Sequence, residues 1–470
     1  MKVKFFFPVV CLAAILLLQL TACKKDTFIT SPDAGLNITA DTLRYDTVFT
    51  TVGSVTQSFK IINTNAQRLR LTNITLAGAS NAAFSINVNG VPGPLVNDVD
   101  IAANDSIYVF VNVRINPTAA DLPFILQDSI GISYNGITRF VQLEAYGQNA
   151  IFLREQAITS NTIFSSNKPY VVLGFLQIAA GTTLTLPAGT KMYVHANAPI
   201  IVDGTLISNG TKNNEVLFTG DRRDAPYRNF PGTWPGIIFK AASTANRLTH
   251  TIINNAYQAL VLLPPTNIPA TPILTLQQCS IANASDAGIV AINSSIAANN
   301  SLVYNCGANV SLLGGGRYNF TNCTLAAYST QFIQHSAAVL NVTNNYNQNG
   351  NTLVADLDAR FVNSIIYGSN GTVTNEITTD RRGSNAFSFV VSHCIYKAAT
   401  DPANTSFILS KKNVDPLFDN IDPPNMRFNF RTTNAAAPGI NAGIATAFTK
   451  DLDDNNRQVG ITDIGCYEKQ

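Results

Sequence analysis

Charge is scarce in this chain. Asp, Glu, Lys and Arg make up 13% of its 470 residues against 46% hydrophobic, and 31 basic and 29 acidic side chains leave a formal net charge of +2. The hydrophobic content excludes a disordered chain, and the low charge excludes a heavily solvated helical one. With no excess of one sign there is no clustered basic face of the kind nucleic acid requires, so no nucleic-acid partner is expected. None of the seven cysteines forms a C-x-x-C pair, which removes the usual zinc and redox spacings. His and Cys are both missing between residues 41 and 147, and the four histidines, His195, His250, His335 and His393, are scattered. What the chain does have is length, enough for about two to four domains or one long repeat array with a large core.

The N-terminus carries an address. Residues 1–4 are basic, and residues 5–20 form a largely apolar run of 16 positions, shorter than the roughly 20 that a spanning helix needs. A signal peptide over residues 1–22 is therefore expected. The tetrad Leu20-Thr21-Ala22-Cys23 resembles the lipobox of bacterial lipoproteins. The resemblance implies acylation of Cys23 and a membrane partner reached through the lipid, since each buried methylene contributes about 0.8 kcal/mol. It also implies a cell-envelope, outer-membrane lipoprotein exposed at the surface. Residues 23–40 lack periodicity and read as a tether. Without Cys11 and Cys23 five cysteines remain, an odd number that argues against a disulfide framework. They read as small residues stacked inside the fold.

Residues 41–148 alternate as short strands. In residues 105–114, Ile107, Val109, Val111 and Val113 share one face. Asn135-Gly136 between two such runs is the pair best suited to a type I′ hairpin turn. About seven strands in roughly 100 residues fit an immunoglobulin-like sandwich. The phrases Thr47-Val48-Phe49 with Gly53-Ser54, Phe84-Ser85-Ile86-Asn87, Asp105-Ser106-Ile107-Tyr108 and Ala145-Tyr146-Gly147-Gln148 resemble the N-terminal modules of Bacteroidetes surface lipoproteins. They are also similar to immunoglobulin-like modules of the Hydin-related kind. Both resemblances imply a spacer or interaction module.

From residue 151 onward one pattern returns: an aliphatic anchor, any residue, then Asn, then a second aliphatic cluster. It reads Ile252-Ile253-Asn254 before Leu260-Val261, Ile281-Ala282-Asn283 before Ile289-Val290, and Val303-Tyr304-Asn305 before Val310. The anchors Ile252, Ile281, Val303 and Leu325 are 29, 22 and 22 apart, and Ile366 and Ile395 are again 29 apart. Such periods predict stacked coils, with anchors pointing inward and Asn taking the left-handed turn. Asn254, Asn283 and Asn305 are candidates for a side-chain ladder or for separate local turns. By the same count His250 and Cys279 occupy equivalent positions. The Asn-rich run at 344–351 reads as a protruding loop.

The phrases Ile201-Val202-Asp203-Gly204-Thr205-Leu206, Val216-Leu217-Phe218-Thr219-Gly220-Asp221 and Gly232-Thr233-Trp234-Pro235-Gly236-Ile237 resemble coils of the right-handed parallel β-helix, the pectate-lyase-like fold. The resemblance implies an all-β chain in which a small β-sandwich precedes a solenoid over residues 151–470, of about ten to twelve coils. Pro438-Gly439-Ile440-Asn441-Ala442-Gly443 and Asp463-Ile464-Gly465-Cys466-Tyr467-Glu468 are similar to the closing segment of bacterial surface β-helix proteins. That implies a cap over the last open strand edge.

Two clusters could carry chemistry. Asp221, Arg222, Arg223 and Asp224, with Tyr227 and Arg228, form a charged loop in a chain poor in charge. The planar Arg fork suits the carboxylate of an acidic sugar; the competing reading is a solvated loop. Asp451, Asp453 and Asn455 have the alternate oxygen spacing of a calcium loop. Against it stand Asn456 and Thr462 where Gly and a carboxylate are wanted, and the competing reading is a structural cap with Arg457 paired to a carboxylate. No other cofactor is expected. The Asp-Asp and Gly-His signatures of polygalacturonase-like hydrolases and the Arg-rich motif of pectate lyases are missing. The expectation is therefore a lipid-anchored envelope protein acting without catalysis in surface adhesion or glycan binding, with a polysaccharide or another surface protein as partner. The alternatives are a polysaccharide lyase or glycoside hydrolase acting on an acidic polysaccharide, and an architectural envelope protein.

Overall fold

The computed structural model describes residues 27–49, 54–78, 83–115, 124–348, 350–457 and 459–470. The expected signal peptide and Cys23 lie outside the described residues. The chain divides into two compact units, Met1–Asn149 and Ala150–Gln470.

The first unit is a β-sandwich of two five-stranded sheets. One sheet runs, in spatial order, Leu36–Ile38, Gln57–Asn63, Ser106–Val113, Phe84–Val88 and Val91–Pro92. The other runs Thr42–Phe49, Ile137–Gln148, Phe124–Tyr134, Leu69–Leu76 and Leu95–Ile101. Strict alternation in Ser106–Val113 buries Ile107, Val109, Val111 and Val113 and leaves Tyr108 and Phe110 outside. The buried side meets Leu71, Ile74, Ile130, Ile132 and Leu143 of the other sheet in one core. Asn135 and Gly136 make the hairpin turn with φ of 45° and 80°, and Tyr134 pairs with Ile137 across it. The strand Thr42–Phe49 pairs in parallel with Ile137–Gln148, while the other ladders of the unit are antiparallel.

The second unit is a parallel β-helix. Twenty-six of its strands, from Ile151–Ile158 to Lys411–Lys412, form one continuous sheet wound into three columns. The first column stacks Tyr170, Met192, Phe218, Ile253, Ile281, Val303, Leu325, Ile366 and Tyr396. The second stacks Ile178, Val202, Phe239, Leu262, Ala291, Leu312 and Val342. The third stacks Leu248, Leu276, Ala298, Phe320, Phe361 and Val391. These side chains are buried in a single core. Each strand is short because it pairs only with its equivalents one coil away.

The stacking corrects the expected phase by one residue. Ile253, not Ile252, is the inward anchor above Ile281, a step of 28 (281 − 253). Ile366 pairs with Tyr396, not Ile395, a step of 30 (396 − 366). Ile252 and Ile395 belong to an outward row with Ser280, Leu302, Thr324 and Ile365. Part of this outer row is itself buried, because Leu452 and Cys466 pack on Leu302 and Ile464 packs on Ile365 and Ile395. A strand apolar on both faces carries no clear alternation, which is why its phase was ambiguous.

The turn residues shift with the anchors. Asn255, Asn283 and Asn305 take φ of 65°, 55° and 51° between the first and second columns, a conformation that Asn tolerates better than most residues. Asn283 Nδ2 donates to Asn255 Oδ1 at 2.8 Å, whereas Asn305 Oδ1 accepts the Tyr328 amide instead. The amide ladder therefore joins Asn255 to Asn283 and omits the expected Asn254.

Between the third and first columns the left-handed position is held by His250, Gln278, Asn300, Asn322, Asn363 and His393. His250 thus matches Gln278, and Cys279 matches Thr251, the residue before the Ile252–Ser280 pair. One residue beyond this corner, small side chains alternate along the axis. The amide of Cys279 donates to Ser301 Oγ (3.1 Å), that of Cys323 to Ser364 Oγ (3.1 Å), that of Ser364 to Cys394 Sγ (3.3 Å) and that of Cys394 to Ser410 Oγ (3.1 Å). Cys279, Cys306, Cys323, Cys394 and Cys466 are free and buried. Burial pushes the thiols of this row up to about 12, which leaves them unreactive.

Candidate functional site

Asp221 follows the first-column strand Val216–Gly220 and opens a long loop that ends at the second-column strand Ile237–Phe239. The loop is built onto the coils. Asn255 Nδ2 donates to Arg228 O (2.7 Å), Asn283 Nδ2 to Asn229 O (2.9 Å) and Trp234 Nε1 to Asn254 O (2.9 Å). The asparagines that make the left-handed turn possible thus also pin the loop. Phe230 packs on Phe332 with ring centroids 5.0 Å apart, so the segment is anchored at both the turn and the ring.

The six loop residues singled out in the sequence fall into separate groups. Asp221 meets His195, with Nδ1 and Oδ2 2.6 Å apart. The Arg223 guanidinium lies 5.6 Å from the Tyr193 ring centroid. Arg222 forks onto Asp224 with two hydrogen bonds of 2.8 Å and stacks over Tyr227 at 3.9 Å. Burial opposes ionisation of Asp224, but the Arg222 fork holds its carboxyl below the usual range. Arg228 stays exposed, on a 3₁₀ turn over Tyr227–Asn229. The chemistry available is therefore a half-exposed His–Asp pair, an Arg beside a Tyr, and a neutralised Arg–Asp pair stacked on a second Tyr.

His195 was not singled out from the sequence, although a signal exists. Val194 pairs with Gly220 in the register of the first column, so the next residues along, His195 and Asp221, become neighbours one coil apart. Reading that requires knowing the coil length at this point. His335 is a second omission, with Nε2 2.9 Å from Glu376 Oε1 and both side chains buried at 2% and 0% exposure. Glu376 also accepts the Val339 amide. Sealed from solvent, this pair fixes two loops and has no access to a substrate.

The second candidate cluster lies in the C-terminal segment, which the sequence placed as an end cap. The structure places it on the flank: residues 444–457 follow the corner between the third and first columns back across several coils. Asn363 holds Ile444 through both its amide nitrogen and oxygen, Asn322 donates to Thr446, Arg457 donates to Asn300, and Gln278 donates to the Asp451 carbonyl and to Asp454. Polar left-handed turns supply this docking row, and an open strand edge does not.

In that segment Asp451 Oδ1 accepts the amides of Asp453 and Asn455 at 2.8 Å each, and Oδ2 accepts the Glu468 amide at 2.9 Å. Asp453 is paired with Lys212 and with Arg431. For calcium to enter, both carboxylates would have to give up these partners. Among the described residues no group of three or more His, Cys, Asp or Glu side chains is placed to hold a metal ion. Arg457 does pair a carboxylate: Nη1 donates to Glu468 Oε2 (3.2 Å), Nε to Asn300 Oδ1 (2.7 Å) and Nη2 to Gly465 O (2.8 Å). The geometry is that of a structural clasp.

Burial pushes the Glu468 carboxyl up to about 7, against the Asp463 amide and the Arg457 cation. Between an unfolded carboxyl value of about 4.3 and that point, the folded state holds the proton and the unfolded state has lost it. Stability of the clasp therefore falls as pH rises through this window and levels off above it. Intrinsic-rate-corrected amide exchange in residues 439–468 is expected to be faster at pH 8 than at pH 5, and Glu468→Gln is expected to flatten that difference. An unchanged pH dependence in Glu468→Gln would rule out this carboxyl as its source.

A family model described as a pectate-lyase-like beta helix domain matches residues 156–259, within the second unit. No curated protein matches. Among solved structures, the chain is similar to a family 123 glycoside hydrolase from Clostridium perfringens, at 13% identity and a TM-score of 0.19, covering 25% of this chain and 30% of that one. It is also similar to PapD-like domain 7 of human CEP192, at 10% identity and a TM-score of 0.18, covering 27% of this chain and 92% of that one. A third is the catalytic unit of the thermostable GH87 alpha-1,3-glucanase from Streptomyces thermodiastaticus strain HF3-3, at 10% identity and a TM-score of 0.15, covering 76% and 89%. The match to the first of these spans 30% of that chain's length.

Proposed function

We propose that this protein is a lipid-anchored, surface-exposed envelope protein that binds an acidic polysaccharide without cleaving it. The observation that carries the reading is the flank where Arg223 lies beside the Tyr193 ring and Arg222 stacks on Tyr227. Arg222 is spent on Asp224, so Arg223 is the cation offered to a uronate carboxylate, and the exposed Tyr227 ring offers an apolar face to a sugar ring. A pectate-lyase-like β-helix match over residues 156–259 includes this flank and supports a carbohydrate ligand. The lipobox at Cys23 supports the anchor.

The test is retention on immobilised polygalacturonate, alginate and neutral polysaccharides, run beside a depolymerisation assay. Arg223→Ala is expected to weaken acidic-polysaccharide retention about tenfold or more, since a hydrogen bond to a charged group is worth about 1.5–3 kcal/mol. Cys23→Ser is expected to move the protein out of the membrane fraction. No retention on any acidic polysaccharide would sink the binding reading, and Cys23→Ser protein still in the membrane would sink the anchor.

One observation favours a second reading. His195 paired to Asp221, with Arg223 two residues further along the chain against the Tyr193 ring, offers a proton acceptor and a cation for a carboxylate on one loop. Under that reading the wild type shortens an acidic polysaccharide and His195→Ala does not.

A further inference from the structure

The corner between the second and third columns carries a feature that the charged loop does not share. The polar run that interrupts the coils at 344–354 folds as a hairpin, Asn345–Gln348 against Asn351–Val354. Its base is fixed: Asn344 exchanges hydrogen bonds with the Arg382 carbonyl and amide, and Asn345 Nδ2 reaches Asp380. It lies close to the coils because Gly314, at φ +71°, has no Cβ; a Cβ there would stand 3.1 Å from that of Tyr346. The hairpin thereby walls a groove of about 520 Å³ whose other side is Asp203, Lys240, Leu263 and Pro264, with Tyr346 and Gln348 on the hairpin side.

We propose that this groove binds a neutral oligosaccharide of two or three hexose units, at a site separate from the charged flank. Its size falls in the range of about 300–1,000 Å³ typical of small-molecule sites. The lining is mixed in the way a pyranose needs, with the Tyr346 ring, Leu263 and Pro264 for the C–H faces and polar groups for the hydroxyls. Those polar groups are available: the Lys240 ammonium, the Tyr346 hydroxyl and the Gln348 amide make no side-chain hydrogen bond to another described residue. Asp203 is held in place by Gln177 Nε2 at 2.8 Å through one oxygen, which leaves the other for a hydroxyl. One ammonium against one carboxylate balances the charge, which favours a neutral ligand over a uronate. Direction follows from the register. Val202, Phe239, Leu262 and Ala291, the residues before the lining Asp203, Lys240, Leu263 and Ile292, stack on successive second-column strands, three strand steps in all. At about 4.8 Å per step this row runs along the helix axis for about 14 Å, so a short linear chain fits lengthwise.

The test is saturation-transfer NMR and calorimetry on the full chain with cellotriose, laminaritriose, maltotriose and mannotriose, and with trigalacturonate as the acidic arm. In Arg223→Ala protein, which lacks the cation of the acidic-glycan flank, at least one neutral trisaccharide is expected to bind in preference to trigalacturonate. Tyr346→Ala is expected to weaken it tenfold or more, Tyr346→Phe to keep most of the affinity, and Lys240→Ala to weaken it severalfold. Arg223→Ala is expected to leave it unchanged, which separates this site from the acidic-glycan flank. The three side chains altered are half-buried, and an unchanged circular dichroism spectrum confirms folding of each variant. No neutral trisaccharide bound at millimolar concentration, a preference for trigalacturonate in Arg223→Ala protein, or equal affinity in wild type and Tyr346→Ala would each overturn the proposal.

Discussion

Arg457→Ala is expected to cost about 3–5 kcal/mol of local stability at pH 8, where Glu468 has lost its proton, because removing one member of a buried ion pair strands the other. Both side chains of the Arg457–Glu468 pair are 1% exposed. The loss would leave the Asn300 and Gly465 acceptors without this donor as well. Solenoids unfold in parts, so a single melting temperature is a poor readout. Native-state amide exchange and limited proteolysis of residues 439–470 measure the segment itself. Release of the segment with the coils intact is the expected result, together with new exposure of Leu302, Ile365 and Ile395 beneath it. The paired change Arg457→Met with Glu468→Leu is expected to restore much of the protection, since replacing both buried charges with apolar groups is often neutral. Arg457→Ala protein with wild-type protection in this segment would show that the clasp is incidental.

The second large effect is expected inside the coils. Phe361 sits between Phe320, stacked at 4.7 Å and 5°, and Phe389, edge-on at 5.9 Å and 82°. All three are buried at 2% exposure or less. Phe361→Ala removes a ring that neighbouring coils cannot collapse to replace, and is expected to cost about 3–5 kcal/mol. Phe361→Leu should cost much less, because it keeps most of the buried apolar volume. Since each coil contacts only its neighbours, lost exchange protection should centre on the strands Ala308–Thr321, Leu357–Val362 and Phe387–Ser392. Protection lost evenly over the whole β-helix would contradict that locality.

Much of the architecture was written in short-range chemistry. Asn135-Gly136 and the alternation of Ile107, Val109, Val111 and Val113 are enough for the hairpin and the half-buried strand of the sandwich, because turn φ angles and the two-residue pleat are local. In the same way, short apolar strands broken by Asn and Gly at spacings of 22 and more dictate stacked parallel coils. The buried fate of Cys279 and Cys323 also followed from their place before the anchors.

The tertiary structure decided what depends on who stacks on whom. Ile365-Ile366 is apolar on both faces because the C-terminal segment covers the outer one, and Ile252-Ile253 shows no alternation either, so only packing selects the inward residue. The candidate site was legible as a set of charged residues and not as partners. Asp221 meets His195 because the intervening coil length puts them one strand step apart, and Arg222 turns to Asp224, which leaves Arg223 as the cation on offer. The C-terminal segment likewise had a recognisable ending but no encoded destination. Its side chains name polar partners, and only the row of left-handed turns assembled from distant coils tells it where to lie.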